Sequence, residues 1–416
     1  MKLFKSSIIY VFANIINASV PFIILPILTN YLSPSDYGIL TIFVSIIAIL
    51  ASIVCFNTDA YIQRKLFDSP SEIKESLAAS TIITLVIALI FYLFIYLTNI
   101  TIFELSNNLL LIAVVYSLTL FFYMILLINY QVKNKGILYG IFQVSYTSIN
   151  LGVSLIGIVL LDLLYFGRVL GYSISSFILG ITSLYLLYNK FKPFKFPSLG
   201  RIKEALLFGG GLLPHTIGNG IILYSSRFFV LEYESSYDLG LFYTAIQICS
   251  VFSLLFLSVN TAFVPWLFEQ LNKKDYLLKQ KIVGYTYLFM IISTMLILIF
   301  IWIAPYLVKM FLNQSFHGSI LYLLPIAFAF LFQAMFYSVT NYIIYSKKTF
   351  HQSVCTLISA LLGIVYNYYL VKYYGTYGAA VAFSLTYFTL FFTSWIASNI
   401  VFKMPWDKPV FFSKQI

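Results

Sequence analysis

Two arginines, Arg168 and Arg227, stand inside stretches that are otherwise apolar enough to cross a bilayer, in a chain that is 61% hydrophobic and only 9% charged. A fixed cation at membrane depth costs roughly 2.5–3.5 kcal/mol on insertion scales, so such a residue marks a place where an anion is handled. A guanidinium suits a phosphate anion, because its planar fork makes paired, charge-assisted hydrogen bonds to phosphate oxygens. Both arginines lie a similar distance from the outer ends of their hydrophobic runs, which places them at one level; the competing reading is that each reaches outward to the headgroups. Arg64, with Lys65, is placed to receive the same anion from the opposite side or to act as an ordinary positive anchor. Asp59 either pairs with Arg64 or stands as a lone protonatable carboxyl. His215, beside Pro214, is a candidate for proton coupling or for contact with a polar cargo, against the plainer role of a packing histidine at a kink. Asn219, together with Asn14, Asn17, Gln143, Asn150, Gln247, Asn260, Gln333 and Asn341, supplies polar groups for a hydrophilic path or for helix–helix hydrogen bonds.

The elements that carry these residues follow from hydropathy. Mean hydropathy is +0.93, and apolar runs of membrane-spanning length recur along the whole chain, so the sequence reads as an all-α polytopic membrane protein. Twelve spans are expected, near 8–30, 39–59, 77–98, 108–128, 138–160, 164–188, 207–231, 239–262, 282–303, 319–345, 351–371 and 378–400. The N-terminal run has no convincing small-residue cleavage site and is read as a retained helix. With the N-terminus on the cytoplasmic side, all 25 Lys and Arg residues except Arg168, Arg227, Lys309 and Lys372 fall on inner segments, which gives an N-in, C-in topology. The formal net charge of +11 is then a topology signal and not a nucleic-acid footprint. Cys55, Cys249 and Cys355 are scattered within spans and match neither a disulfide framework nor a metal pattern.

A Pro-containing basic connection over 191–206 falls near the midpoint and divides the chain into an N-terminal six-helix lobe, 1–190, and a C-terminal one, 207–416. Ser35-Asp36-Tyr37-Gly38 after the first span and Tyr237-Asp238-Leu239-Gly240 after the seventh place Asp-x-Gly at matching points of the two halves. Six spans per half give both the same orientation, so the expected arrangement is two pseudo-symmetric lobes around a central cavity. Pro21, Pro26, Pro214, Pro265 and Pro325 interrupt spans and offer bending points, or plain kinks.

Leu213-Pro214-His215-Thr216, then Ser226-Arg227, then Gly240-Leu241-Phe242-Tyr243-Thr244-Ala245 resemble the polysaccharide-transporter branch, including O-antigen flippases, of the multidrug/oligosaccharidyl-lipid/polysaccharide exporter superfamily. So do Leu32-Ser33-Pro34-Ser35-Asp36-Tyr37-Gly38 and Tyr374-Gly375-Thr376-Tyr377-Gly378-Ala379-Ala380, and the resemblance runs over nearly the whole chain. It implies a flippase for undecaprenyl-diphosphate-linked glycan in a bacterial cytoplasmic (inner) membrane, with a glycan polymerase and a chain-length regulator as further partners. Many relatives carry Asp-Arg where this chain has Ser226-Arg227, which puts any role assigned to that acid in doubt here. An ion-coupled multidrug/cation antiporter of the same superfamily would be expected to place acids in its lobes, whereas the intramembrane bias here is cationic. A membrane glycan polymerase would need a large outer loop, and none exceeds about 15 residues. Paired catalytic carboxylates, nucleotide-binding glycine loops and metal-ligand clusters are missing from the sequence, so no enzyme activity and no cofactor are expected.

Overall fold

The computed structural model describes residues 19–191 and 196–410. Lys2, Lys5, Asn14, Asn17, Lys192, Pro193, Lys195 and Lys414 lie outside the described residues. Among those described, the chain is helical throughout, with no β-strand beyond an isolated bridge between Ile102 and Leu105.

A short apolar helix, α1 (Ser19–Tyr31), is followed by α2 (Pro34–Cys55), α3 (Thr58–Asp68), α4 (Ile73–Thr98), α5 (Asn107–Val132), α6 (Gly136–Leu155, extended by a π-helical turn over Ile156–Leu160) and α7 (Leu164–Phe191). Then come α8 (Leu199–Tyr233), α9 (Ser236–Asn272), α10 (Tyr276–Phe311), α11 (Ile320–Tyr345) and α12 (Thr349–Val401). Ten of these are long and apolar enough to cross a membrane. α12 runs through a non-helical Gly375 (φ 58°, ψ −146°) and is two consecutive spans, so the second to twelfth expected spans each have a helix, while α1 holds the part of the first from residue 19 onward and its residues 8–18 lie outside the described residues. The second span ends earlier than hydropathy suggested: Phe56 and Asn57 adopt left-handed backbone (φ 50° and 51°), and a separate, more polar helix, α3, carries Asp59, Arg64 and Lys65.

The chain divides into two compact units, Met1–Ile217 and Gly218–Ile416, with the boundary inside α8. In the first unit α5 is the central helix, packed by α2, α3, α4, α6 and α7. Its core joins Phe121, Ile125 and Leu126 of α5 to Tyr61, Leu77, Leu187 and Ala205. In the second unit α11 is central, against α9, α10 and α12, and Tyr342 gathers Leu267, Leu271, Ile282, Val283 and Met404. The centres are thus the fourth span of one unit and the tenth span of the chain in the other.

The Asp-x-Gly repeat has a local cause. Ser33 caps α2, accepting a hydrogen bond from Asp36 N at 3.1 Å while the Asp36 carboxylate accepts from Ser33 N and Oγ. Ser235 caps α9 in the same way, with Asp238 N at 3.2 Å from Ser235 Oγ, which donates to Asp238 Oδ2 at 2.5 Å. Each serine satisfies a backbone N–H that a helix start would otherwise leave bare, the Asp36 carboxylate satisfies a second at α2, and each pair sets a carboxylate at the positive end of the helix dipole. The repeating unit is therefore Ser-x-x-Asp-x-Gly, longer than the motif the sequence singled out.

The Tyr374–Ala380 motif has a steric cause. Gly375 occupies a backbone region essentially reserved for glycine, and a Cβ there would lie 2.6 Å from a Glu234 carboxylate oxygen. A Cβ at Gly378 would run into the Leu370 carbonyl. These two glycines let the chain reverse across the break between its last two spans.

Candidate functional site

Arg168 sits near the start of α7, and glycines decide what surrounds it. A Cβ on Gly167 would lie 2.7 Å from the Gly157 carbonyl carbon, and one on Gly171 would meet Ser154 Oγ and Asn150 O. With no side chains there, α6 and the first turns of α7 approach closely enough for Arg168 to reach across. Its guanidinium donates to Asn150 Oδ1, to Ser154 Oγ at 2.9 Å and to Tyr172 OH at 3.1 Å, and lies 4.4 Å from the Tyr172 ring centroid. Tyr172 meets Tyr116 edge-on, the hydroxyls of Tyr116 and Tyr146 are 3.2 Å apart, and Tyr146 stacks on Tyr123. Arg168 is 5% exposed, and among the described residues no carboxylate lies within ion-pair distance of it. The cation is held by neutral oxygens and a tyrosine face, which solvate it without cancelling its charge.

Arg227, on α8 in the second unit, is 8% exposed and lies between two rings, 4.9 Å from the Tyr224 centroid and 4.6 Å from that of Tyr243 on α9. Tyr387 of α12 is close enough to feel its charge, and the Tyr387 hydroxyl accepts from Gln333 Nε2 of α11 at 3.2 Å. Asn367 of α12 donates to Ser225 Oγ at 3.3 Å, binding α12 to α8 two residues before the arginine. Both arginines are therefore buried in protein and neither projects to an exposed surface. Each belongs to an aromatic, hydroxyl-rich cluster within its own unit.

The remaining sequence candidates separate. Asn150 belongs to the Arg168 cluster and Gln333 to the Arg227 cluster, each within its own unit, and Asn341 donates to Asn260 at 2.8 Å. His215 is half-buried and its Nδ1 has no hydrogen-bond partner among the described residues; Asn219, one turn on, is exposed. The neighbouring Thr216 donates to Asn57 Oδ1 at 3.0 Å, tying this part of α8 to the α2–α3 corner. Arg64 does not pair with Asp59: it bonds Asp68 one turn on at 3.1 Å, both largely exposed. Asp59 is half-buried at the start of α3, and burial pushes its carboxyl above the ordinary range against the lowering effect of backbone N–H groups there.

Lys65 instead enters a network. Its ammonium lies 2.8 Å from Glu72 and 2.7 Å from Glu204, while Arg201 lies 2.7 Å from Glu72 and 2.6 Å from Glu204. Tyr61 OH donates to Glu204 at 3.1 Å. Glu204 and then Glu72 hold the Lys65 ammonium above its ordinary range, and Lys65 and then Arg201 hold the Glu72 carboxyl below its own. This network fastens the start of α8 to α3 and to the turn before α4.

Sequence reasoning named both arginines and missed their tyrosines, although spacing carried a signal. Tyr172 follows Arg168 by four residues and Tyr224 precedes Arg227 by three, the separations at which helical side chains meet. Tyr116, Tyr146, Tyr243 and Tyr387 arrive from other helices and carry no such signal.

A multi-pass helical membrane protein with a buried cation cluster in each of two units is the class these features define. The chain belongs to the polysaccharide biosynthesis protein family, whose family model matches residues 3–271. It is similar to an uncharacterized membrane protein of Haemophilus influenzae, 24% identical over 367 residues covering 87% of this chain and 89% of the relative. In fold it resembles the lipid II flippase MurJ in an inward closed conformation, with a TM-score of 0.72 at 15% identity over 95% of this chain and 87% of that one. It also resembles an inward-facing MATE multidrug resistance transporter of the MOP superfamily, with a TM-score of 0.65 at 15% identity over 92% and 94% of the two chains.

Proposed function

We propose that this protein is a flippase that carries undecaprenyl-diphosphate-linked oligosaccharide, of the O-antigen or capsule repeat-unit type, from the inner to the outer leaflet of a bacterial cytoplasmic membrane. The supporting observation is the Arg168 cluster. A buried cation without a carboxylate partner is costly to maintain, and a protein that keeps one retains affinity for an anion. The lipid tail of such a substrate can stay in the bilayer, whereas its diphosphate and sugars must cross roughly 30 Å of hydrocarbon. In this reading Arg168 and Arg227 take the diphosphate in turn as two lobes, 1–190 and 207–416 joined through 191–206, alternate around a central cavity. Arg64 is the first contact on the cytoplasmic side, and His215 and Asn219 contact sugar. Asp59 and His215 are the candidate groups for ion coupling. A glycan polymerase and a chain-length regulator would act on the product, and the protein itself would catalyse no covalent step.

The test is transport of a fluorescent lipid-linked oligosaccharide in reconstituted vesicles, with proton and sodium gradients imposed in either direction. Arg227→Ala is expected to abolish transport while the protein still inserts, and Arg227→Lys to retain part of it, because charge survives without the fork. Full transport by Arg227→Ala removes the arginine from the mechanism. Movement of organic cations with none of the diphosphate-linked lipid replaces this reading with that of an ion-coupled antiporter.

A further inference from the structure

We propose that the α9–α10 hairpin of the second unit holds one anionic phospholipid from the leaflet facing its basic end, with an acyl chain in a side pocket and the phosphate on Lys274 and Lys281. On the topology expected from the sequence, that is the inner leaflet. The proposal is independent of which substrate the protein carries.

The pocket lies between α9, α10 and α11, has a volume of about 260 Å³, and is lined by Val259, Phe263, Leu288, Phe289 and Ile292 with Asn260, Thr286 and Ser338. Each of those three polar groups is already engaged. Asn260 Oδ1 accepts from Asn341 at 2.8 Å, Thr286 Oγ1 donates to Ile282 O at 2.9 Å, and Ser338 Oγ donates to Met335 O at 2.6 Å. A wall built mainly of apolar side chains, whose three polar residues are each already hydrogen-bonded to the protein, asks for an apolar occupant. Val259, Leu288 and Ile292 are exposed and continue into the exposed Ile291, Met295 and Leu298, a surface that faces lipid in a membrane protein.

The chemistry changes in order along the hairpin. Trp266 stands next to Phe263 and Tyr285, with centroids 5.2 and 6.0 Å away, and both Trp266 and Tyr285 are exposed, as aromatic side chains at a headgroup boundary are. Lys281 precedes Tyr285 by one helical turn and so lies on the pocket face of α10, and Lys274 stands in the turn that joins α9 to α10, just past the end of α9. Lys273 leans on Glu269 at 3.8 Å, whereas among the described residues neither Lys274 nor Lys281 has a carboxylate within 4.0 Å. From Lys281 to Ile292 the helix rises about 16 Å, the reach of an acyl chain from its phosphate. Basic rim, aromatic belt and apolar pocket thus occur in the order of a phospholipid's own parts, and charge complementarity selects an anionic headgroup.

The full chain carrying Trp266 as its sole tryptophan, through W302F, W395F and W406F, is reconstituted with phospholipids brominated on their acyl chains, which quench nearby indole fluorescence. Brominated phosphatidylglycerol is expected to quench Trp266 at a mole fraction roughly tenfold below that needed for brominated phosphatidylcholine, and K274Q/K281Q to abolish that preference. A pocket-filling change, Ser338→Leu, is expected to lower quenching by both lipids. Should K274Q/K281Q fail to fold, the same comparison at raised salt, which screens the headgroup contact, serves in its place. Equal quenching by the two lipids, or a preference that survives both loss of the lysines and salt, overturns the proposal. Relief of quenching by an equimolar polyprenyl diphosphate without any preference for phosphatidylglycerol assigns the pocket to another lipid and overturns it as well.

Discussion

Ser154 Oγ accepts a hydrogen bond from Arg168 at 2.9 Å through a space that exists only because Gly171 has no side chain. The buried cation therefore depends on a residue that never touches it. A Cβ at Gly171 meets Ser154 Oγ and the Asn150 carbonyl, both partners of the close α6–α7 packing. Gly171→Val is expected to destabilise the protein by about 1–3 kcal/mol, as overpacking does, and to lower transport in proportion to lost Arg168 contacts. Thermal unfolding in detergent, compared with transport in vesicles, checks this; an unchanged melting temperature would show that the helices tolerate separation.

The rings around Arg227 offer a sharper comparison. Tyr243→Phe keeps the aromatic face 4.6 Å from the guanidinium and is expected to transport within about twofold of the parent, whereas Tyr243→Ala loses a desolvated cation–π contact of about 1–2 kcal/mol and should fall roughly tenfold. Equal loss in both variants would make the hydroxyl, and not the ring, the important group.

At the basic end of α8, Glu204 bridges Lys65, Arg201 and Tyr61. Glu204→Gln is expected to lower the melting temperature by about 2–4 °C, the scale of a 1 kcal/mol change in a domain of this size. The pH dependence follows from Lys65 and Glu72. The Glu72 carboxyl is held below its ordinary range in the folded chain, so its contribution is present above that range and is lost as pH falls through the depressed value. The Lys65 ammonium is held above its ordinary range, so its contribution is complete below that range and is lost as pH rises through the elevated value. Melting temperature plotted against pH should stay level between the two limits and drop at each; in Lys65→Met both drops should shrink.

Gly375 tests the break between the last two spans. Its φ of 58° with ψ of −146° costs a side-chain-bearing residue about 1–3 kcal/mol, and Glu234 blocks the space a methyl would need. Gly375→Ala is expected to reduce the yield of folded protein severalfold, measured by detergent-extractable monomer. Pairing it with Glu234→Ala should recover only the steric share.

The sequence by itself determined where the long apolar helices of this chain fall, because hydrocarbon tolerates only satisfied helical backbone and long apolar runs are legible one at a time. It also determined the sharp turns at Ser33–Asp36 and Ser235–Asp238, whose caps are made by residues three apart, and it singled out Arg168 and Arg227, since a charge inside an apolar run is conspicuous without any structure. The family resemblance was likewise readable from local motifs. What surrounds the two arginines was decided by tertiary structure. Tyr116 and Tyr146 reach the Arg168 cluster from α5 and α6, and Tyr243 and Tyr387 reach Arg227 from α9 and α12, across separations no helical period encodes. In a chain with 34 tyrosines, nothing local distinguishes a ring that faces lipid from one that lies over a guanidinium. The same holds for Lys65 and Arg64: they are neighbours of nearly equal chemistry, yet only Lys65 points toward Glu72 and Glu204, because the direction of a side chain is fixed by the packing of α3 against α4 and α5 and not by its place in the sequence.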